Sequence, residues 1–204
     1  IDIPATTTTI GGGFMLASIT GVSASITSIT ISASGTIDYQ NDISAVGVWY
    51  DLDTSAPYNC VSESFGGNEV QYGATNTSFS TAATSTHTGS VTVSSTQTMC
   101  IYPTLTIDNE ASNNETLDIL VVDPSIDVLR STGTIGPTSA VQIPGMTTLV
   151  KDIPTQIRYH FRNDDGSETT ATSKTAGVEN TNLTNFSNGT STRLRIEVSN
   201  EGSS

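Results

Sequence analysis

The chain has 204 residues, with seven Lys and Arg against twenty Asp and Glu, a formal net charge of −13, and only 13% charged residues in all. So acidic a chain repels nucleic acid and anionic lipid, and neither nucleic-acid binding nor membrane insertion is expected. Ser, Thr, Asn and Gly fill much of the remainder, which disfavours helices and suits short strands joined by polar turns. Alternating segments such as Ile29–Ser32, Ser90–Val93 and Arg193–Val198 recur between Gly, Pro, Asn and Ser clusters, which predicts an all-β fold.

The chain opens at Ile1 rather than Met, as a mature form does once an export signal is removed, although a cut inside a longer chain would look the same. Ile1, Ile3 and Ala5 share one side of an extended segment. Pro4 between them restricts that segment to an edge, or to pairing through one side. Two readings stand: the first edge strand of its own domain, or a donor strand that leaves to complete a neighbouring subunit.

After the Gly11–Gly13 break come Phe14–Leu16, a long Ser/Thr/Ile segment over Ala24–Ile37, and a turn at Asn41 and Asp42. The stretch Ala45–Cys60 follows as the centre of the fold. Val46, Val48 and Tyr50 fall on one side of a strand with Trp49 on the other, while Asp51, Asp53, Ser55 and Pro57 end it and fold a turn. Further strands are expected at Glu69–Tyr72, Ser90–Val93, Met99–Ile107, Thr116–Val122 and Val141–Ile143, and the polar run Asn76–Gly89 reads as a surface loop or a weak edge. The spacing predicts an immunoglobulin-like β-sandwich.

Two cysteines, Cys60 after the acidic loop and Cys100 in an apolar strand, read as one disulfide formed in an oxidising compartment; two unrelated buried thiols are the alternative. Zinc would need His87 and His160 to join them.

Pro144, Gly145 and the segment Thr147–Pro154 mark a boundary, giving a first domain over 1–150, with its extended segment 1–10, and a small β domain over 151–204. Beyond the boundary Ile157, Tyr159 and Phe161 alternate with Arg158, His160 and Arg162, and Leu194, Ile196 and Val198 alternate with Arg193, Arg195 and Glu197. If these strands pair, Arg158, Arg162, Arg193 and Arg195 line one face. Two confident strands are too little core for an isolated domain, so this incomplete part is expected to lean on the first domain or on another chain. Up to Val150 there are thirteen acids and one base, whereas six of the seven bases lie beyond it. Such asymmetry suits a basic end of one subunit meeting an acidic end of the next, or two domains of different origin.

No catalytic constellation is apparent. No G-x-S-x-G occurs, and both histidines read as surface residues. Acidic turns make calcium the one cofactor worth naming, with Asp51 and Asp53 first among the candidates, although acidic turns without metal are common. Candidate glycosylation sequons stand at Asn76, Asn114, Asn182, Asn185 and Asn188.

The stretches YDLDTSAPYNCVSESFGGNEVQYG, TQTMCIYPTL, RYHFRNDDGSETTATS and TRLRIEVSNEGSS resemble modules of large, repetitive secreted surface proteins of bacteria, adhesin-like β-repeat chains. The resemblance covers most of residues 24–150 as one module and 156–204 as the opening of a second. Phe161 stands where the pattern has tryptophan, and the chain ends at Ser204 where related chains run on. It implies an extracellular structural role at the cell surface and brings no catalytic residues. By analogy of architecture, filaments whose subunits donate an N-terminal strand to the next supply an assembly scheme. The sequence therefore predicts a non-enzymatic subunit of an extracellular fibre, a head-to-tail homopolymer. The alternative is an adhesin or carbohydrate- or protein-binding module whose host or cell-surface ligand the sequence does not identify.

Overall fold

The computed structural model describes residues 1–10, 12–18, 21–142, 146–151, 154–184 and 186–200. The chain divides into two compact units, Ile1–Lys151 and Asp152–Ser204. The first holds β1 (Asp2–Ile3), β2 (Ala5–Thr9), β3 (Phe14–Ala17), β4 (Ala24–Gly35), β5 (Ile43–Asp53), β6 (Val70–Gln71), β7 (Thr84–Val93) and β8 (Thr98–Ile107). It continues with β9 (Thr116–Val121), a single helical turn α1 (Pro124–Asp127), β10 (Val128–Arg130), β11 (Val141–Gln142), β12 (Thr147–Thr148) and β13 (Val150–Lys151). The second holds β14 (Pro154–Asn163) and β15 (Thr192–Asn200).

The first unit is a β-sandwich. In one sheet β8 is central: β5 runs antiparallel along it from Ile43↔Ile107 to Asp53↔Thr98, and β2 and β3 together line its other side. β6 extends this sheet beyond β5. In the other sheet β4 pairs with β7 on one side and with β9 and β10 on the other. β9 and β10 run along the same side of β4 on either side of α1, and β11 and β12 pair with the far side of β9; in α1 the Asp123 carboxylate accepts from Ser125 N at 3.0 Å and Pro124 begins the turn. β4 ends at Gly35, whose φ of +130° and missing Cβ, which would stand 2.1 Å from Thr116 O, allow no other residue without strain.

The pleat explains the core. Val46 and Val48 of β5, Ile101, Leu105 and Ile107 of β8, and Leu117 and Ile119 of β9 face inward and are buried. A bulge between Ile26 and Ser28 shifts the alternation of β4, so that Ile26, Ile29 and Ile31 all reach the same core. Tyr50 packs against this core from the same side as Val48, and Trp49 lies on the opposite face, as its sequence position predicts.

In its second half the polar run Asn76–Gly89 is an edge strand, the second of its two readings, and not the surface loop. From Thr84 it is strand β7, fully paired to β4, and hydroxyl pairs such as Thr30–Thr86 and Ser25–Thr92, each 2.9 Å apart, take the place of apolar cross-strand contacts. Consequently His87 is not a surface residue but is buried inside the sandwich. Its Nδ1 donates to the carbonyl of Ala74 at 2.9 Å, and its Nε2 lies 3.1 Å from Ser85 Oγ, a hydroxyl that can donate to it when the ring is neutral. Tyr72 beside the same strand donates to Ile26 O at 3.0 Å, and burial pushes its phenol up to about 12.

In the second unit β14 and β15 pair antiparallel, with Tyr159↔Ile196, Phe161↔Leu194, His160↔Arg195 and Arg158↔Glu197 as partners. The segment 172–180 runs irregularly along the other edge of β14, through Asn163 N to Thr172 O, Lys174 N to Phe161 O and Asn180 N to Tyr159 O at 2.9–3.0 Å. Among the described residues the buried apolar core cluster ends at Leu149 and takes nothing from this unit.

Burial holds the His87 imidazole below its usual pKa, the Ala74 carbonyl opposing this only in part. Below about pH 6.5 the unfolded chain therefore binds a proton that the folded chain refuses, and stability falls as the pH drops. The Tm is expected to decline from pH 7 to pH 5, and His87→Gln to flatten that decline while lowering the Tm at pH 7; calorimetry across the range checks both.

Candidate assembly site

The acidic loop after β5 folds back over its own sheet. Asp53 is buried at the strand end, and its carboxylate accepts from Ser55 N at 2.9 Å and Cys60 N at 3.1 Å; the Ser55 contact chiefly holds its pKa below the usual carboxylate range. These bonds turn the chain through Tyr58 and Cys60, both with positive φ (55° and 58°), and Cys60 then closes the disulfide to Cys100. Thr98 Oγ1 adds a bond to Tyr58 O at 2.5 Å. Phe65 follows on the same flap and packs edge-on against Trp49 and tilted against Tyr102, with centroids 6.2 and 6.0 Å apart. Gly47 leaves room for the Trp49 indole, whose N–H donates to Thr104 Oγ1 at 3.0 Å. Residues 54–69 thus roof the outer face of β8.

Asp51 and Asp53, the sequence's first choice for calcium, lie on this outward side of β5. Both carboxylates accept backbone N–H groups, Asp51 from Leu52 at 2.8 Å, and among the described residues no group of three or more His, Cys, Asp or Glu gathers as a metal site. Glu69 is likewise taken up. Burial pushes its carboxyl upward, but the N–H groups of Gly66 and Gly67, at 2.7 and 2.8 Å, and others nearby outweigh this and lower it. Burial, then Glu63, Asp51 and Glu69, raise the Tyr102 phenol, whose oxygen has no hydrogen-bond partner among the described residues.

The N-terminal strands are seated in their own unit, β2 and β3 along β8 and β1 beside β13. Ile3 and Ala5 are buried, as the alternation predicts, and Ile1 is partly buried with its ammonium donating to Thr148 O at 2.7 Å. β1 pairs in parallel with β13, Asp2↔Val150 and Ile3↔Lys151. Two further anchors, Ile10 and Phe14, were hidden in the sequence by the Gly11–Gly13 break that interrupts the alternation. Removing Ile3, Ile10 and Phe14 from this seat would cost on the order of 6 kcal/mol.

The four arginines expected at an interface share one face of β14 and β15, but most are engaged within the unit. Arg158 bridges Glu179 and Glu197, each at 3.2 Å; Arg193 bridges Asp164 at 2.5 Å; Arg162 donates to Glu168 O at 3.1 Å. Arg195 alone of the four has no such partner among the described residues. The opposite face tells more. Leu194, Ile196 and Val198 are 52%, 49% and 58% exposed, although their alternation is that of a buried face. Leu183 and Phe186 approach only the end near Phe161 and Leu194.

Of the sequons, Asn114 and Asn188 are exposed, and Asn182 is exposed while its Oδ1 accepts from Tyr159 at 2.8 Å. The Asn76 amide nitrogen, the atom a glycan would occupy, donates to Ser85 Oγ and Thr86 O at 2.8 and 3.1 Å. Asn185 lies outside the described residues, as do Pro144 and Gly145.

Replacing Cys60 and Cys100 by Ser is expected to lower unfolding free energy by about 4 kcal/mol, the loop-entropy value for their separation of 40 residues. Urea titration measures the loss, and limited proteolysis should make its first cut within residues 54–69. No family model matches the chain, and neither a curated protein nor a solved structure does.

Proposed function

We propose that this chain is a structural, non-enzymatic subunit of an extracellular surface fibre, joined head-to-tail by donation of the N-terminal strand. The observation that carries the reading is the seating of the edge strands β2 and β3 along β8, with Ile3, Ala5, Ile10 and Phe14 buried in the core of the first unit. Because an empty seat is costly, donation proceeds as exchange, the same strand of the next copy replacing the one that leaves. The disulfide suits an oxidising, exported setting. The resemblance to bacterial surface modules points the same way.

Electron microscopy of the full chain is expected to show fibres of uniform width that survive dilution, and a variant lacking Ile1–Ile10 to show none. Monodisperse particles from the full chain at every concentration, or unchanged fibres from the shortened one, would overturn the reading and leave the adhesin module as the better account.

A further inference from the structure

β15 is a strand with one side unused. Among the described strands it pairs with β14 alone, so over Thr192–Val198 its other edge presents a row of backbone donors and acceptors. Soluble proteins guard such edges with short strands, bulges, proline or charged side chains. β15 is long and holds no proline, its only shift of register lies in β14 between Gln156 and Arg158, its charges Arg193, Arg195 and Glu197 are of mixed sign, and its even-numbered side chains Leu194, Ile196 and Val198 are exposed and apolar. An edge of this kind is built to take another strand.

The sequence of the edge selects its partner. Antiparallel pairing of two copies of β15 keeps apolar and charged side chains on matching faces only when facing positions are both even or both odd. Centred on Arg195, the pairing sets Arg195 against itself. Centred on Glu197, it sets two carboxylates together, and centred on Leu194 it opposes Arg193 to Arg195. Centred on Ile196, all of these conflicts vanish: Arg195 of each copy faces Glu197 of the other, Leu194 faces Val198, and Ile196 meets its own twin on the axis. Among the described residues Arg195 is also the one of the four arginines with neither an ion pair nor a side-chain hydrogen bond, and Glu197 is 53% exposed at its side chain while it contacts Arg158.

We infer that β15 is a self-recognition edge, through which the second units of two copies of this chain pair antiparallel about a two-fold axis at Ile196 to make one continuous sheet. The contact is isologous and closes at two, so it is distinct from head-to-tail strand donation and does not require it.

The test uses the full chain, cleared of any fibres by centrifugation, with mass measured by light scattering after size exclusion. The expected mass is twice 21.3 kDa. Ile196→Lys should return the monomer mass, and Arg195→Glu or Glu197→Arg alone should weaken the dimer by about tenfold or more. Combining Arg195→Glu with Glu197→Arg should restore it, since the facing pairs are then charge-swapped. The double variant and Glu197→Arg lose the same Arg158 contact, so a merely structural role for Glu197 would leave both equally impaired. A monomer at high concentration, a dimer indifferent to Ile196→Lys, or a double variant no better than Glu197→Arg would each overturn the inference.

Discussion

Everything in the first unit depends on β8 being buried on both faces. Its odd-numbered side chains Ile101, Leu105 and Ile107 enter the sandwich core, as any half-buried strand would supply. Its even-numbered ones, Thr98, Cys100, Tyr102 and Thr104, face away from that core and are nevertheless buried. A sandwich of two sheets leaves such a face wet. Here the flap at residues 54–69 covers it, drawn down by the disulfide, the Asp53 turn and the Phe65 ring. Both neighbours of β8 are set by that burial, β5 along its full length and the N-terminal strand along the other side.

The two units answer the same physical demand in opposite ways. In the first, every long strand has neighbours and both layers are present. In the second, one layer exists, and its apolar face and outer edge are left uncovered by the described residues. Charge alone does not distinguish an outward face, since two of the four arginines there are held by acids of their own unit, and exposed ion pairs add little to stability. Exposed aliphatic residues in strict alternation are more informative, because nothing local accounts for them.

Much of this was legible in the sequence. Alternation placed Val46, Val48 and Trp49 on their correct faces, the Asp51–Pro57 composition announced the turn, and the spacing of Cys60 and Cys100 joined a loop to a strand. What remained hidden has identifiable causes. The first part of β7, before the expected strand at Ser90–Val93, was obscured because Thr, Ser and His carry little hydropathy signal, although threonine's branched side chain fits a pleated surface and its hydroxyl finds cross-strand partners. β10 was obscured because α1 breaks one strand into two short pieces. Ile10 and Phe14 were missed because a triple glycine resets the phase. Periodicity also revealed that Leu194, Ile196 and Val198 share a face without revealing what, if anything, lies over it.

The parallel clip between β1 and β13 carries a mechanical consequence. Its two strands run the same way, so a pull on Ile1 against a pull on Lys151 slides them past each other along their length. Ile1 N to Thr148 O and Val150 N to Ile1 O, at 2.7 and 2.8 Å, are then loaded together in shear instead of opening one after another like a zipper. Lys151 is tied besides to Asn113 Oδ1 through its amide at 3.1 Å and to Ala111 O through its ammonium at 3.3 Å. Tension applied across the first unit thus meets its hydrogen bonds at the orientation in which a short strand pair resists most, and the segment between Cys60 and Cys100 stays outside the extensible length altogether.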